Sequence, residues 1–226
     1  MRPQSPPTTA PRARGRPARP ESEQLVAALE AATWLLLNSG YAATTLEAVA
    51  KRAGMAKKTI YRFAANREDL VGQVVRKWTD AFEPVMAQEV GASADVLPAL
   101  SRVLDVIAAR ALSSDAVGMF RLLTADFPAR DALLPVYQKN GIERGTMMLG
   151  DWLGRLGERG LIRVRQPHAT AGLLLSMVIA EPLRQMALGL IPPLPESSVS
   201  ERIQVALAIF SGRQTDDGPG FALNGG

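Results

Sequence analysis

The sequence has no cysteine, a single histidine, few aromatic residues and no long uninterrupted apolar run. The absence of cysteine excludes disulfide bonds, thiolate catalysis and cysteine-ligated zinc, and it suits a reducing cytoplasm. The only histidine, His168, stands at a predicted helix start, which argues against His-dependent triads and multi-histidine metal sites. Acidic residues are present, but no spacing singles out a catalytic pair. We therefore predict that the protein is not an enzyme and has no cofactor, no catalytic residue and no metal site.

Segments typical of export or membrane insertion are also missing. The first 20 residues hold six prolines, five arginines and no acidic residue, which is not the pattern of a signal peptide. Residues 169–191 are nearly all apolar, but Glu181, Pro182 and Arg184 interrupt them short of the ~20 apolar residues that span a bilayer. We predict a cytoplasmic protein with no membrane partner.

The composition favours helices. The chain has 226 residues, of which 47% are hydrophobic and only 5% aromatic, and its β-branched residues form no long alternating runs. We predict an all-α fold in which two helical domains, residues 22–68 and 69–212, lie between two flexible ends. Residues 1–21 are a disordered basic arm, because such a segment cannot bury enough apolar surface to fold, and residues 213–226 are a Gly-rich tail.

Positive charge is concentrated in the first part of the chain. Residues 1–65 carry 10 Lys and Arg against 4 Asp and Glu, a net charge of +6, while residues 66–226 carry 16 against 18, a net charge of −2. These values agree with the net charge of +4 of the whole chain. A charge run is often only a solvated face, but a basic region is also the electrostatic footprint of a nucleic-acid-binding protein.

Residues 44–63 predict two short helices joined by a tight turn. Thr44 and Glu47 have the spacing of a capping box, which marks a helix start. Gly54 stands where the end of that helix favours a residue that tolerates positive φ. A second helix, of barely two turns, is expected to point Ile60 toward the core. Its other sides present cations, hydroxyls and one aromatic ring. This pattern is typical of a helix-turn-helix whose second helix enters the DNA major groove.

The run GYAATTLEAVAKRAGMAKKTIYRFAANREDL, residues 40–70, resembles the DNA-binding segment of the TetR family of bacterial transcriptional regulators. Two positions depart from that pattern. Ala56 replaces the usual serine cap, which is worth about 1 kcal/mol, and Ala64 and Ala65 replace an aromatic residue followed by proline. The residues that carry the match are Gly40, Tyr41, Thr44, Thr45, Ala50, Gly54, Lys57, Thr59, Ile60, Tyr61, Asn66, Arg67, Glu68 and Leu70.

The resemblance implies a three-helix DNA-binding domain at 22–68, and a homodimer whose two recognition helices enter successive major grooves of a near-palindromic operator. Lys57 and Lys58 are candidates for base edges, because lysine donates to guanine. The other DNA-contact candidates are Thr44, Thr45, Thr59, Tyr61, Arg62 and Arg67, with Arg14 and Arg16 in the arm. Tyr61 has packing as an alternative role. The Arg-Gly-Arg segment resembles an AT-hook for the minor groove, with an ordinary solvated tail as the alternative.

Helical spacing of apolar residues predicts the remaining elements. A long helix from residue 66 to about 89, opened by an Asn66 cap, is expected to belong to both domains. Gly141, Gly145 and Gly150 interrupt a long later helix and allow either bending or close approach. Pro167 suits the first position of a further helix, which takes in the apolar residues 169–191. The other predicted helices are residues 22–39, 66–89, 95–112, 115–127, 130–159 and a last one opened by a capping box at Ser198 and Glu201.

The region 69–212 is expected to bind an effector and to form the dimer. Flexible thioethers and aromatic rings suit a cavity for an apolar or aromatic effector, although such residues are more often simply core. The effector candidates are Met119, Phe120, Leu123, Phe127, Met147, Met148, Trp152 and Met177. The last two apolar helices are expected to dimerise, with closure of the monomer's own core as the alternative. The dimer candidates are Leu174, Val178, Ile203, Leu207 and Phe210.

Together, these features and the resemblance predict a nucleoid-associated homodimeric regulator that binds double-stranded DNA and is released by a small effector. The resemblance implies a repressor, which is the most frequent role in the TetR family. A second interpretation is a protein of the same fold that binds ligands or partners without sequence-specific DNA recognition. The missing cap at Ala56 favours this second interpretation slightly.

Overall fold

A computed structural model describes residues 20–125 and 127–215, with side chains described to residue 212, and all regular elements of this part are helices. This confirms the predicted all-α fold. Residues 1–19 of the predicted arm, with Arg14 and Arg16, and residues 216–226 of the predicted tail lie outside the described residues. Helix α1 already begins at Glu21 and α12 continues to Thr215, so the predicted bounds of the arm and the tail are wrong at these ends. Within the described part, no helix combines the length and apolarity needed to cross a membrane. The helices are α1 (Glu21–Ala43), α2 (Leu46–Ala53), α3 (Lys57–Phe63), α4 (Arg67–Asp80), α5 (Glu83–Met86), α6 (Val96–Ala111), α7 (Ser114–Thr124), α8 (Arg130–Tyr137), α9 (Arg144–Glu158), α10 (Pro167–Leu175), α11 (Glu181–Ala187) and α12 (Ser200–Thr215).

Two π-helical segments join neighbouring helices into longer rods. The first π segment, Gln138–Glu143, makes α8 continuous with α9, as predicted for residues 130–159. The second π segment, Ser176–Ala180, joins α10 to α11. Pro167 occupies the first position of α10, as predicted, because a helix start needs no N–H there.

Helices α1 to α3 and the first turns of α4 form a helix-turn-helix unit, here called the headpiece. Gly40, with φ 78°, breaks α1 near its end, and Gly54 ends α2 in the left-handed region at φ 65°. The Gly54 N–H bonds to the carbonyls of Ala50 and Lys51, so the turn before α3 is closed by backbone hydrogen bonds. The predicted turn at Gly54 is therefore confirmed.

The prediction that Thr44 caps α2 is wrong by one residue. Thr45 is the cap, since its hydroxyl oxygen accepts from the Ala48 N–H at 3.1 Å. Thr44 is fully buried, and its hydroxyl donates to the Gly40 carbonyl at 2.9 Å. Because its side chain has no accessible surface, Thr44 cannot make the DNA contact predicted for it.

Helix α4 is shorter than predicted. Asn66 caps it as expected, accepting from the Asp69 N–H at 2.7 Å, but the helix ends at Asp80 and a separate short helix, α5, follows. Pro84 explains the break, because proline lacks the N–H that would bond to the Asp80 carbonyl and its ring clashes there. The sequence contained this signal, and the single helix predicted to residue 89 overlooked it.

The described apolar residues form two cores. The headpiece core joins α1 to α4 with residues of α7 and α8, including Met119, Leu123 and Leu133. The second core, of the larger domain, lies among α5, α6, α9, α10, α11 and α12. The headpiece therefore shares its apolar interior with two helices that come much later in the chain.

The predicted dimer contacts need correction. Leu174, Val178, Ile203, Leu207 and Phe210 are all buried, with exposed fractions from 0% to 7%, and they belong to the second core of the same chain. They close the monomer, which was the alternative reading. The opposite side of α12 instead exposes Val205 and Ile209, at 52% and 49%, and α10 exposes Leu173 at 56%. A capping box at Ser198 would start the last helix at Val199, but the helix begins one residue later, at Ser200.

Glycine in α9 allows α10 to pack very closely. A Cβ placed on Gly150 would lie 2.4 Å from His168 Cδ2 and 2.9 Å from the His168 Cα. These distances are shorter than van der Waals contact, so only glycine fits. Of the two roles considered for Gly150, bending and close approach, the structure shows close approach.

Candidate nucleic-acid interface and effector region

The solvent face of α3 carries most of the predicted DNA contacts. Ile60 is fully buried and anchors the helix in the headpiece core. Lys57, Tyr61 and Arg62 project from the other side with exposed fractions of 69%, 50% and 57%, and Lys58 is exposed as well. A short helix anchored by one buried side chain therefore presents three cations and a phenol to solvent.

Glu47 of α2 lies beside this cationic face. The Tyr61 hydroxyl donates to Glu47 Oε1 at 2.8 Å, and Lys57 Nζ lies 3.9 Å from the same oxygen. The hydrogen bond lowers the pKa of Glu47 below its usual value and raises the pKa of Tyr61. One carboxylate thus binds two of the candidate DNA-contact groups, and each group must leave it to contact DNA through the same atoms.

Arg67 and Tyr41 fasten the start of α4 to the end of α1. The Arg67 guanidinium donates to the Tyr41 carbonyl at 3.0 Å and lies 4.6 Å from the centre of the Tyr41 ring. The Tyr41 hydroxyl donates to Glu68, and burial with this bond raises the pKa of Tyr41 to about 12. Arg67 is therefore only half-exposed and has a structural role in addition to any contact with phosphate.

The remaining predicted contacts on the headpiece differ in accessibility. Thr45 and Thr59 are half-buried, and the Thr45 hydroxyl already caps α2. Arg62 forms an ion pair with Glu21 of α1 at 3.3 Å, in which both side chains remain exposed. Ala56, before α3, provides no side-chain cap, in agreement with the sequence.

Helix α4 is clamped to the first π segment of the larger domain. Arg76 Nη2 donates to Asn140 Oδ1 at 3.1 Å, and the Thr79 hydroxyl reaches the Asn140 carbonyl at 3.3 Å. Arg144 forms an ion pair with Asp80 at 2.8 Å. The same Thr79 hydroxyl donates to the Arg76 carbonyl within α4 at 2.9 Å. Of these three links between α4 and the larger domain, the Arg76–Asn140 hydrogen bond and the Arg144–Asp80 ion pair are therefore the main ones.

Two glycines bring the backbones of the same helices together. A Cβ on Gly72 of α4 would lie 3.1 Å from Val136 Cγ1, and a Cβ on Gly141 would lie 3.1 Å from Val75 Cγ1. Both contacts are tight, so α4 and the rod formed by α8 and α9 fit closely. Movement of this rod is therefore expected to displace α4 and the headpiece attached to it.

The eight predicted effector residues divide between the two cores. Those in or against the headpiece core are Met119, Leu123 and Phe127. Those in or against the second core are Met148, Trp152 and Met177. Of the other two, Met147 is 57% exposed and Phe120 is half-buried. The structure does not bring all eight together, and ligand contact by either group stays a prediction.

Two family models match the chain. The model described as bacterial regulatory proteins, tetR family, matches residues 28–74. The model described as AefR-like transcriptional repressor, C-terminal domain, matches residues 98–213, which is about half of the 226 residues. The first model spans the helix-turn-helix, and the second spans α7 to α11 entire, most of α6 and nearly all of α12.

Solved structures show the same fold. A TetR-family protein from Mesorhizobium loti is 20% identical, with a TM-score of 0.65 over 87% of this chain and 98% of that one. The flavonoid-responsive regulator FrrA is 22% identical, with a TM-score of 0.62 over 85% and 97%. A TetR transcriptional regulator from Agrobacterium tumefaciens is 19% identical, with a TM-score of 0.62 over 84% and 93%. No curated protein matches the chain significantly.

Proposed function

Because this chain belongs to the TetR family of bacterial transcriptional regulators, we propose that it is a homodimeric repressor that binds a near-palindromic operator at the nucleoid. The observation that carries the proposal is α3, which is anchored by buried Ile60 and presents Lys57, Lys58 and Arg62 to solvent. A helix of this size with cations at its start suits the major groove. The repressor role is supported by the description of the model that matches the larger domain.

The headpiece residues take different parts in this proposal. Lys57 and Lys58, at the start of α3, contact base edges, where lysine donates to guanine O6 and N7. Thr45, Thr59, Tyr61 and Arg62 contact phosphates and hold the register. Arg67 contributes mainly by fixing α4, since its guanidinium already donates to the Tyr41 carbonyl.

The dimer is proposed to form through the exposed apolar sides of α10 and α12. Val205 and Ile209 lie one turn apart on α12, and Leu173 is exposed on α10. Arg202 Nη1 donates to the Met177 carbonyl at 3.0 Å, which holds α12 beside the second π segment. Two copies of this pair of helices would bury the exposed side chains in a two-fold, four-helix contact.

The effector is proposed to act through the contact between α4 and the first π segment. An effector shifts the protein only by its differential affinity for the DNA-binding and released states. A ligand that moves the rod of α8 and α9 would move Asn140, and with it the end of α4. We propose a small apolar or aromatic effector, and flavonoids are a reasonable first set because the structurally similar FrrA is described as flavonoid-responsive.

A selection from random DNA duplexes tests the proposed function. Enrichment of a near-palindrome, with each half read by one headpiece, supports the repressor. Salt-sensitive binding without enrichment supports instead a protein that has the fold and lacks sequence-specific recognition, which the uncapped start of α3 at Ala56 favours. Loss of operator binding on adding a flavonoid would then test the effector class.

A further inference from the structure

A groove of about 370 Å³ lies where the headpiece meets the larger domain. Its walls come from α1, from α4 and from the corner between α6 and α7. None of the described residues predicted to contact DNA or effector lines it. The lining residues used below are Glu30, Trp34, Lys77, Trp78, Arg110 and Asp115.

Arg110 is the unusual residue of this groove. Its Nε is buried and has no hydrogen-bond partner in the part of the chain that the structure describes, and its guanidinium carbon lies 5.8 Å from the centre of the Trp78 ring. Among the described residues, no carboxylate forms an ion pair with it. A buried donor on a charged group is costly when it is left unpaired, so an anionic oxygen brought into the groove would be favoured there.

The other charged residues of the groove are already stabilised. Lys77 Nζ lies 3.7 Å from Glu30 Oε1, so these two charges offset each other. Asp115 lies in the first turn of α7, where the helix dipole and free N–H groups stabilise a carboxylate. Arg110 is thus the one lining cation, within the described chain, whose charge is not offset by an ion pair.

Two indole rings give the groove flat apolar walls. Trp78 is 7% exposed and Trp34 is 43% exposed, and the Arg52 guanidinium lies 3.3 Å from the Trp34 ring centre. An exposed tryptophan beside a cation offers a stacking surface to an aromatic ring. A ligand that matches both features is flat at one end and anionic at the other.

We propose that this groove binds a small planar aromatic carboxylate, with its carboxylate on Arg110 and its ring against Trp34 and Trp78. The site is separate from the apolar residues proposed above for the effector. Because α1 and α4 form two of its walls, its occupant contacts the headpiece directly. The site itself does not depend on DNA binding.

The test uses 2-naphthoate and its uncharged counterpart 2-naphthamide, titrated calorimetrically into the purified full chain. Naphthoate is expected to bind. The amide should bind at least about tenfold more weakly, because it lacks the charge that Arg110 would neutralise. Absence of naphthoate binding, or equal affinity for acid and amide, would overturn the proposal.

Variants locate the binding. Arg110→Met removes the guanidinium and should weaken naphthoate binding about tenfold or more, whereas Arg102→Met, an exposed arginine on the same helix and outside the groove, should leave it unchanged. Trp34→Leu, at a partly exposed position, should also weaken naphthoate binding. This variant tests the site if the Arg110 variant fails to fold. If the folded variants bind like the parent, naphthoate lies elsewhere and the proposed site is wrong. Operator affinity without ligand is measured alongside, so that failure of the site and failure of the proposed function are distinguishable.

Discussion

At the scale of single residues, Lys57 is the clearest candidate for reading a base. Its side chain is 69% exposed, and its one ion pair with a described residue is the 3.9 Å contact with Glu47. Lys57→Ala is expected to weaken operator binding by about 1–3 kcal/mol, the usual value of a good base contact. Thermal stability should change little, because exposed substitutions are usually neutral.

Lys139→Ala is the matched control, since this exposed lysine lies on the first π segment and carries the same charge. Fluorescence anisotropy with the selected operator gives both affinities. Equal losses in the two variants would show that only net charge matters at Lys57.

Glu47 competes with DNA for Tyr61, the proposed phosphate contact, and for Lys57, the proposed base contact. Glu47→Gln removes a negative charge next to the DNA-binding face and weakens the hold on both groups, so operator affinity should rise about threefold to tenfold at low salt. The gain should fall as salt is added, because exposed charges are screened. Anisotropy titrations at two salt concentrations measure it, and an affinity below that of the parent protein would show that Glu47 positions Tyr61 for DNA.

At the scale of elements, the sequence predicted what local patterns determine. The apolar spacing of α1, the Gly54 turn, the Asn66 cap and Pro167 at the start of α10 were all identified correctly. Where the prediction failed, packing between distant segments decided the outcome. No local pattern shows that the apolar stripe of α12 faces its own core, that the headpiece core takes in Met119, or that Trp34 lines a groove with Arg110.

Gly150 shows how such packing constrains one element. Alanine is the better helix former by about 1 kcal/mol, yet a Cβ here would lie 2.9 Å from the backbone of α10 at His168. Gly150→Ala should therefore destabilise the protein by about 1–3 kcal/mol, the range for overpacked cores.

Gly154→Ala, one turn later on α9, is the control. Its Cβ would meet Pro167 at 3.7 Å, an ordinary contact, so this variant should be as stable as the parent or more stable. Urea unfolding followed by circular dichroism compares the two. If Gly150→Ala is the more stable variant, the close approach of α9 and α10 is not required.

At the scale of the whole molecule, the proposed function requires two headpieces held at a fixed separation. The side chains first expected at the dimer contact are buried within the chain, which leaves the exposed pair Val205 and Ile209 of α12 as the proposed contact. A charge placed at each would be buried without a partner in the dimer but solvated in the monomer. Val205→Glu with Ile209→Glu should therefore dissociate the dimer while the monomer stays folded, because both positions are about half exposed in the single chain.

Val26→Glu makes the same kind of change at an exposed position of α1, 42% accessible, and should leave the dimer intact. Sedimentation velocity gives the mass of each variant, and anisotropy gives its operator affinity. The double variant should lose more operator affinity than the removal of one DNA contact would cost. In the dimer, binding of one headpiece raises the effective concentration of the other at its half-site. If the double variant remains dimeric, the dimer contact lies elsewhere on the chain. If it is monomeric and keeps full operator affinity, operator binding does not require paired headpieces.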